Sequence, residues 1–219
     1  QFLTGMDHYS GFQTVRPKTR AVVVGAGFIG LETAENLAHR GFDVTVLEMG
    51  NQVLAPIDCE MARIVEGFLE LNSVRVILED AAAEFRQTDS GALEVITQSG
   101  ETYPADIVIL GMGVRPETAL AKEAGLEIGS RGGILVDDQM RTSNQDIFAV
   151  GDAIEVKDFI TGEQSLVALA GPANRQGRIA ADVIAGRDAR FRGTQGTSII
   201  GLFGAAAAWT GVSEKTLER

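Results

Sequence analysis

The sequence predicts an α/β fold: a Rossmann-like domain with a parallel sheet plus β-meander, followed by a second, smaller domain. Three observations carry that expectation. Residues 21–24 are small or β-branched (AVVV), as in a strand buried on both faces, and Gly25, Gly27 and Gly30 follow at G-x-G-x-x-G spacing. Helical periodicity over 31–40, with Ala34, Leu37 and Ala38 on one face, leads through Gly41 into a second strand at 43–48. Further on, alternating segments separated by Ser-Gly turns precede another apolar strand, DIVIL at 106–110. A strand–turn–helix–strand unit within about 30 residues is the setting that a dinucleotide fingerprint needs.

Each glycine has its own task. Gly25 permits the tight turn out of the strand. Gly27, lacking a Cβ, lets a pyrophosphate approach the backbone, and Gly30 lets the helix pack against the strand. The N–H groups and dipole at the helix start then face the phosphates. Glu48 lies 18 residues after Gly30, at the end of the second strand, where a carboxylate accepts hydrogen bonds from an adenosine ribose hydroxyl. The loop 49–56 contains no Arg or Lys, and the Glu48 charge repels a 2′-phosphate. The expected dinucleotide is therefore NAD, with NADH preferred over NADPH. A glycine-rich turn without a ligand is the plain alternative, and the agreement of fingerprint, setting and acid stands against it.

Composition narrows the rest. A chain of 219 residues suits one large domain or two small ones, and a hydrophobic share of 45% is ample for a core. The net charge of −11 argues against nucleic acid or an anionic membrane surface as partner. No apolar run approaches the ~20 residues of a membrane span, and no signal peptide is visible. One cysteine and two histidines provide no disulfide framework and no usual metal-ligand cluster, which points to a cytoplasmic protein. The first residue is Gln1 rather than Met, so a fragment or a processed protein is expected.

Taken in order, 1–19 is polar, is broken by Gly5, Gly11 and Pro17, and reads as a linker or arm in which His8 and Tyr9 are solvated. His39 falls in the last helical turn, where positive charge suits the helix end. Residues 57–71 read as a helix with Met61, Ile64, Val65 and Leu69 on its apolar face and Asp58 as N-cap, which puts Cys59 first in the helix. Without a C-x-x-C or a nearby His or Lys, that thiol reads as a surface residue. A strand is expected at 74–78, and the meander at 81–86, 93–98 and 101–103. Gly111 and Gly113 close the strand 106–110, at the edge where a dinucleotide would lie. Pro116 opens a short helix through Ala124, short strands follow at 134–136 and 147–150, and Gly151-Asp152 sets a carboxylate at a strand end. Gly171-Pro172 opens a helix over 173–185. Gly171 to Gly177 is not a phosphate loop: five residues separate the glycines, and Arg178 stands where Lys-Ser/Thr is required. Residues 193–219, rich in small side chains, read as the opening of another domain.

Four motifs together resemble the FAD-dependent pyridine nucleotide-disulfide oxidoreductases, and within them the coenzyme A disulfide reductases and the NADH oxidases and peroxidases. They are VGAGFIGLE at 24–32, DIVILGMGVRP at 106–116, TSNQDIFAVGD at 142–152, and LAGPANRQGR at 169–178 with GTQGTS at 193–198. The third is the most specific. The resemblance implies a NAD-binding domain over 20–115, the C-terminal half of a FAD-binding domain over 116–191, and the start of a dimerisation domain over 192–219. It implies that Gly151 and Asp152 hold the ribityl and phosphate region of FAD. Ala170 and Gly171 would begin a helix aimed at the flavin N1/C2=O edge. Glu32 would stand beside the nicotinamide, paired with a lysine near flavin N5, and Phe28 and Ile29 would line the nicotinamide path. Small-molecule dinucleotides and a second copy of the chain are the implied partners.

Family members carry a first G-x-G-x-x-G, a redox cysteine and the lysine partner of Glu32 ahead of these motifs. No such segment is present here, and Cys59 stands where relatives commonly have Pro, so no catalytic residue is assigned. Two expectations result. One is a fragment of an NADH-dependent flavoprotein oxidoreductase that, when intact, reduces a disulfide, a peroxide or oxygen. The other is a non-catalytic NAD-binding module: colourless, and prone to self-association through an uncovered apolar face around Phe148, Ala149 and Leu169. A short-chain dehydrogenase is excluded, because it needs Tyr-x-x-x-Lys, whereas Tyr9 and Tyr103 are followed four residues on by Gln13 and Ile107.

Overall fold

A computed structural model describes residues 19–89 and 91–218. The linker expected at 1–19, with His8 and Tyr9, lies outside the described residues except for Thr19. The chain divides into two compact units. One contains the residues up to Gly113 together with Ile199–Ala207; the other contains Val114–Ser198 and the residues from 208 onward.

In the first unit β1 (Arg20–Val24), α1 (Phe28–His39), β2 (Asp43–Leu47), α2 (Cys59–Leu71) and β3 (Arg75–Ile77) follow in order. Then come β4 (Ala82–Gln87), β5 (Leu93–Thr97), β6 (Thr102–Ala105) and β7 (Ile107–Leu110). The parallel sheet runs β3-β2-β1-β7. Central β1 has strands on both sides, and its Ala21, Val22, Val23 and Val24 are all buried, which is why a run of small branched side chains fits there. The last strand, expected to be buried, is only half-buried, because β7 lies at the sheet edge and pairs with β1 alone.

The meander β4-β5-β6 is antiparallel and lays Val95 and Ala105 into one core cluster with Val22, Val24 and Leu47. α2 corrects the sequence reading of its apolar face. Ala62, Val65 and Leu69 are buried, whereas Met61 and Ile64 are 53% and 56% exposed. Spacing by three and four residues selects the stripe 62-65-69, and the two larger side chains fall on its flank. Asp58 is the N-cap and Cys59 the first helical residue, exposed to solvent.

The second unit contains α3 (Ala119–Glu123), β8 (Ile134–Leu135), β9 (Ile154–Lys157), β10 (Gln164–Leu166) and α4 (Ala170–Ile184). β8 and β9 pair parallel, and β9 and β10 antiparallel. Met140, Ile154, Val156, Ile179, Val183 and Phe191 form the core. The strand expected at 147–150 is not formed; a single bridge joins Phe148 to Arg141. Phe148 and Ala149 pack on the core, with the Arg141 guanidinium 4.7 Å above the Phe148 ring, and Leu169 is half-buried. Those three residues are therefore partly covered within the unit, while their neighbours Ile147 and Val150 are exposed. Buried Glu155 accepts hydrogen bonds from the N–H groups of Arg131 (2.7 Å) and Gly133 (3.2 Å) and pins the turn between them.

A hairpin of β11 (Ser198–Leu202) and β12 (Ala205–Trp209), then α5 (Glu214–Leu217), completes the described chain. The hairpin turns at Phe203 and Gly204, both at positive φ, as a two-residue turn requires. In the first unit the Phe203 N–H donates to Glu35 at 2.6 Å, and its ring meets His39 edge-on. No helix among the described residues is long and apolar enough to cross a membrane.

Candidate functional site

The first site lies at the C-terminal edge of the parallel sheet. Gly25 turns the chain at φ +104°, and its N–H donates to the Leu47 carbonyl at 2.7 Å. On the other side the Gly111 N–H donates to the Val24 carbonyl, also at 2.7 Å. Glycine then packs against glycine. A Cβ on Gly30 would collide with the Gly25 carbonyl oxygen, one on Gly25 with the Gly111 carbonyl, and one on Gly111 would stand 3.2 Å from the Gly30 Cα. Backbone atoms occupy the space of all three side chains, so no larger residue enters without moving the turn. Gly27, the N-cap of α1, differs, because a Cβ there would meet no atom within 4 Å. The space in front of Gly27 is open at the point where α1 presents its N-terminal donors and dipole.

Glu48 follows β2 directly and is tied to that turn. Its Oε2 accepts from the Ala26 N–H and its Oε1 from the Gly50 N–H, both at 2.8 Å. An ionised carboxylate has about four lone-pair sites, so each oxygen keeps one acceptor site beyond these two bonds. The loop 49–56 buries its middle and exposes Met49, Asn51, Ala55 and Pro56. Gln52, Val53 and Leu54 are buried, and the Leu54 N–H donates to the Ala26 carbonyl at 2.9 Å. Around the turn, Phe28 is half-buried and Ile29 and Glu32 are exposed; no hydrogen bond or ion pair engages the Glu32 carboxylate among the described residues. The two glycines that close β7 separate. Gly113 is exposed at φ +88° with open space around it, while Gly111 is buried against Gly30, so close packing beneath the turn is what requires a glycine there.

The second site lies in the other unit. Gly151 (φ +81°) begins a short 3₁₀ turn, Gly151–Ala153, from which Asp152 projects, exposed and unpaired among the described residues. α4 starts at Ala170, three residues before the expected start, with Pro172 as its third residue. The first four N–H groups of a helix lack intrahelical partners, so the missing N–H of proline costs nothing there. No side chain caps this end, and Ala170 and Gly171 are exposed. Beside it opens a cleft of about 430 Å³ lined by Phe159, Gly171, Pro172, Arg175, Arg192 and Gln195, among others.

Comparison with known proteins identifies the family. The model of the pyridine nucleotide-disulphide oxidoreductase family matches residues 2–177. The chain belongs to this family. An NADH oxidase of Methanocaldococcus jannaschii is 44% identical over 173 residues, covering 78% of this chain and 38% of that protein. Among family structures, reduced Bacillus anthracis CoADR-RHD superposes with a TM-score of 0.89 at 44% identity, covering 97% of this chain and 37% of the other. The water-forming NADH oxidase from Lactobacillus brevis bound to NADH gives a TM-score of 0.89 at 28% identity, covering 100% of this chain and 47% of the other. The chain thus spans less than half the length of each of these relatives. The four sequence motifs identified the family, and the Rossmann-type α/β architecture follows it.

Two site residues escaped sequence reasoning as to role. Glu48 was legible as an acid ending β2, but its hold on Ala26 was not, since a backbone contact leaves no side-chain pattern. Gln176, one turn beyond Pro172, is buried, and its Oε1 accepts from the Gly151 N–H at 2.7 Å. Its signal was present: a glutamine in the stripe shared by Ile179, Ala180 and Val183 is a polar residue on an apolar face. Among the described residues no cluster of His, Cys, Asp or Glu is placed to hold a metal ion.

Proposed function

We propose that this chain binds NADH at the glycine turn of the first unit. We further propose that the intact protein is an NADH-dependent flavoprotein oxidoreductase acting on a disulfide, a peroxide or oxygen. The observation that carries this reading is the contrast within one turn. Gly25, Gly30 and Gly111 are filled by backbone, while Gly27, the remaining glycine of the turn, faces open space at the N-terminus of α1. That arrangement fits a pyrophosphate. Glu48 supports NAD over NADP, because its fixed carboxylate suits a free ribose hydroxyl and repels a phosphate, and the loop 49–56 brings no Arg or Lys to offset it.

FAD bound to the intact protein would supply the electron relay between NADH and the final acceptor. Toward it this chain would contribute Asp152, an unpaired acceptor for hydroxyl groups, and the uncapped N–H groups of Ala170 and Gly171, which would donate toward an electron-rich edge. Phe28 and Ile29 would shield the nicotinamide from water, and Glu32 would offer a carboxylate to a cationic partner. The single cysteine suits a cytoplasmic setting.

For the chain on its own, one observation favours the second reading, a non-catalytic NAD-binding module. Its one cysteine, Cys59, is exposed at the start of α2 and takes no part in either turn. The test is calorimetry of NADH and NADPH on the 219-residue chain, with an absorption spectrum and an NADH-oxidation assay after FAD addition. NADH should bind at least tenfold more tightly than NADPH, to a colourless protein without turnover. Equal or tighter NADPH binding would overturn the NAD assignment, and FAD retained in stoichiometric amount with steady turnover would overturn the module reading.

A further inference from the structure

We propose that Gln176 is a positioning residue that locks the turn of Gly151 and Asp152 onto α4, so that the Asp152 carboxylate and the open start of α4 act as one flavin-binding half-site. The role in binding rests on the flavin reading above; the lock itself does not.

Gln176 is 1% exposed and lies on the buried face of α4 with Ile179, Ala180 and Val183. A buried amide is costly unless its polar atoms are paired. Its Oε1 accepts from the Gly151 N–H at 2.7 Å, the short end of the usual N–H···O range. The Gly151 N–H needs that acceptor. The chain before it is extended but is not part of a sheet: Ala149 makes the last backbone bond on that side, to the Met140 carbonyl, and Gly151 then turns away at φ +81°.

The turn meets α4 at a second point. A Cβ on Gly151 would reach the Ala173 Cβ at 4.0 Å. Ala173 and Gln176 are three residues apart and share one helix face. On its far side the turn runs straight into β9, where Ile154 is buried. With the backbone of the turn held behind, ahead and beneath, Asp152 is the residue that projects. The lock lies six residues into α4, about 9 Å along the axis from Ala170 at 1.5 Å per residue. Gly151 lies against both Ala173 and Gln176, within the first two turns of α4, so the Asp152 carboxylate beside it can engage the same ligand as the N-terminal donors.

The test uses the 219-residue chain with Gln176→Leu, which keeps the bulk and removes the acceptor, and Gln176→Glu, which keeps an acceptor oxygen. Amide exchange at Gly151 is followed by NMR, with Val156 in β9 as the reference, and FAD is titrated while the Asp152, Ala170 and Gly171 amides are observed. In Gln176→Leu, Gly151 should exchange at least tenfold faster with Val156 unchanged. FAD-induced shifts should need at least fivefold more ligand, and Gln176→Glu should stay within twofold of the parent on both readouts. Unchanged Gly151 exchange in Gln176→Leu overturns the lock. Faster exchange with undiminished FAD response overturns the positioning role. If the parent chain shows no FAD-induced shifts, the flavin reading of the half-site fails, and the exchange rates still decide the lock on their own.

Discussion

Gly25 and Gly151 both carry the chain through the left-handed region, at φ +104° and +81°, and each does so against a helix that starts nearby. The means differ. At Gly25 the constraint is backbone against backbone: three glycines fill one another's side-chain space, two strand bonds hold the turn, and the Glu48 carboxylate closes it onto Ala26. At Gly151 the hold comes from one side chain, Gln176, and the acid beside it is left unpaired among the described residues. Where the backbone enforces geometry, a substitution breaks the fold before it touches binding. Where a side chain enforces it, binding can change while the fold survives.

The largest expected effects test the first half of that comparison. In Gly30→Val the new Cβ enters the Gly25 carbonyl, and the loss of stability should reach about 3 kcal/mol, as for severe overpacking, read from urea unfolding. Gly27→Val should leave the midpoint nearly unchanged, because nothing lies within 4 Å of its Cβ, yet NADH affinity should fall at least 100-fold. A stable Gly30→Val, or a Gly27→Val that binds NADH normally, would break the comparison at its root. Glu48→Ala comes next. It strips the buried Ala26 N–H of its acceptor, so about 1–3 kcal/mol should be lost in stability, and the preference for NADH should fall with it. If preference falls with stability untouched, Glu48 serves the ribose alone. Asp152→Asn, at an exposed and unpaired position, should shift stability by no more than about 0.5 kcal/mol; a larger loss would mean that the second turn is also held by its acid.

The first of these turns was far more legible in the sequence than the second. A buried parallel strand, three spaced glycines and an acid at the next strand end are local features within about 30 residues, and together they point to one reading. At Gly111 the structure shows a packing need against Gly30, which the sequence does not display, because a glycine required by packing and a glycine required by a ligand look alike in sequence. α2 misled for a related reason: Met61 and Ile64 are the larger apolar side chains, but Ala62 sits at the closest approach. In the second unit the strands β8, β9 and β10 are two to four residues long, too short for periodicity, and the bends come from contacts distant in sequence, such as Glu155 on the turn at 131–133. Phe148 and Ala149 read as a strand because they are apolar; they are apolar because they pack on a core that the sequence does not display.

A comparably small effect is expected at the opposite end of the parallel sheet from the glycine turn. Arg20 opens β1, and Asp106 stands just ahead of β7. The Arg20 backbone N–H and Nε donate to Asp106 Oδ2 at 2.8 and 3.2 Å, and Nη2 donates to Oδ1 at 2.9 Å. The side-chain bonds to Arg20, aided by the backbone bond, hold the Asp106 carboxyl below its ordinary range. A carboxyl whose folded value is depressed stabilises fully above its unfolded value of roughly 4, and that contribution is lost as pH falls through the folded value. Both side chains are more than a third exposed, so solvent screening limits the pair, and Asp106→Asn should cost only about 0.5 kcal/mol at pH 7. Urea unfolding of parent and variant from pH 7 downward should show that gap closing below roughly pH 4; a gap that stays constant would assign the loss to the hydrogen bonds rather than to the charge. NADH affinity at pH 7 should be unchanged within twofold. The glycine turn is fixed by its own backbone contacts at the other edge of the sheet, and if loosening the Arg20 end weakened NADH binding, the turn would be less self-contained than its packing implies.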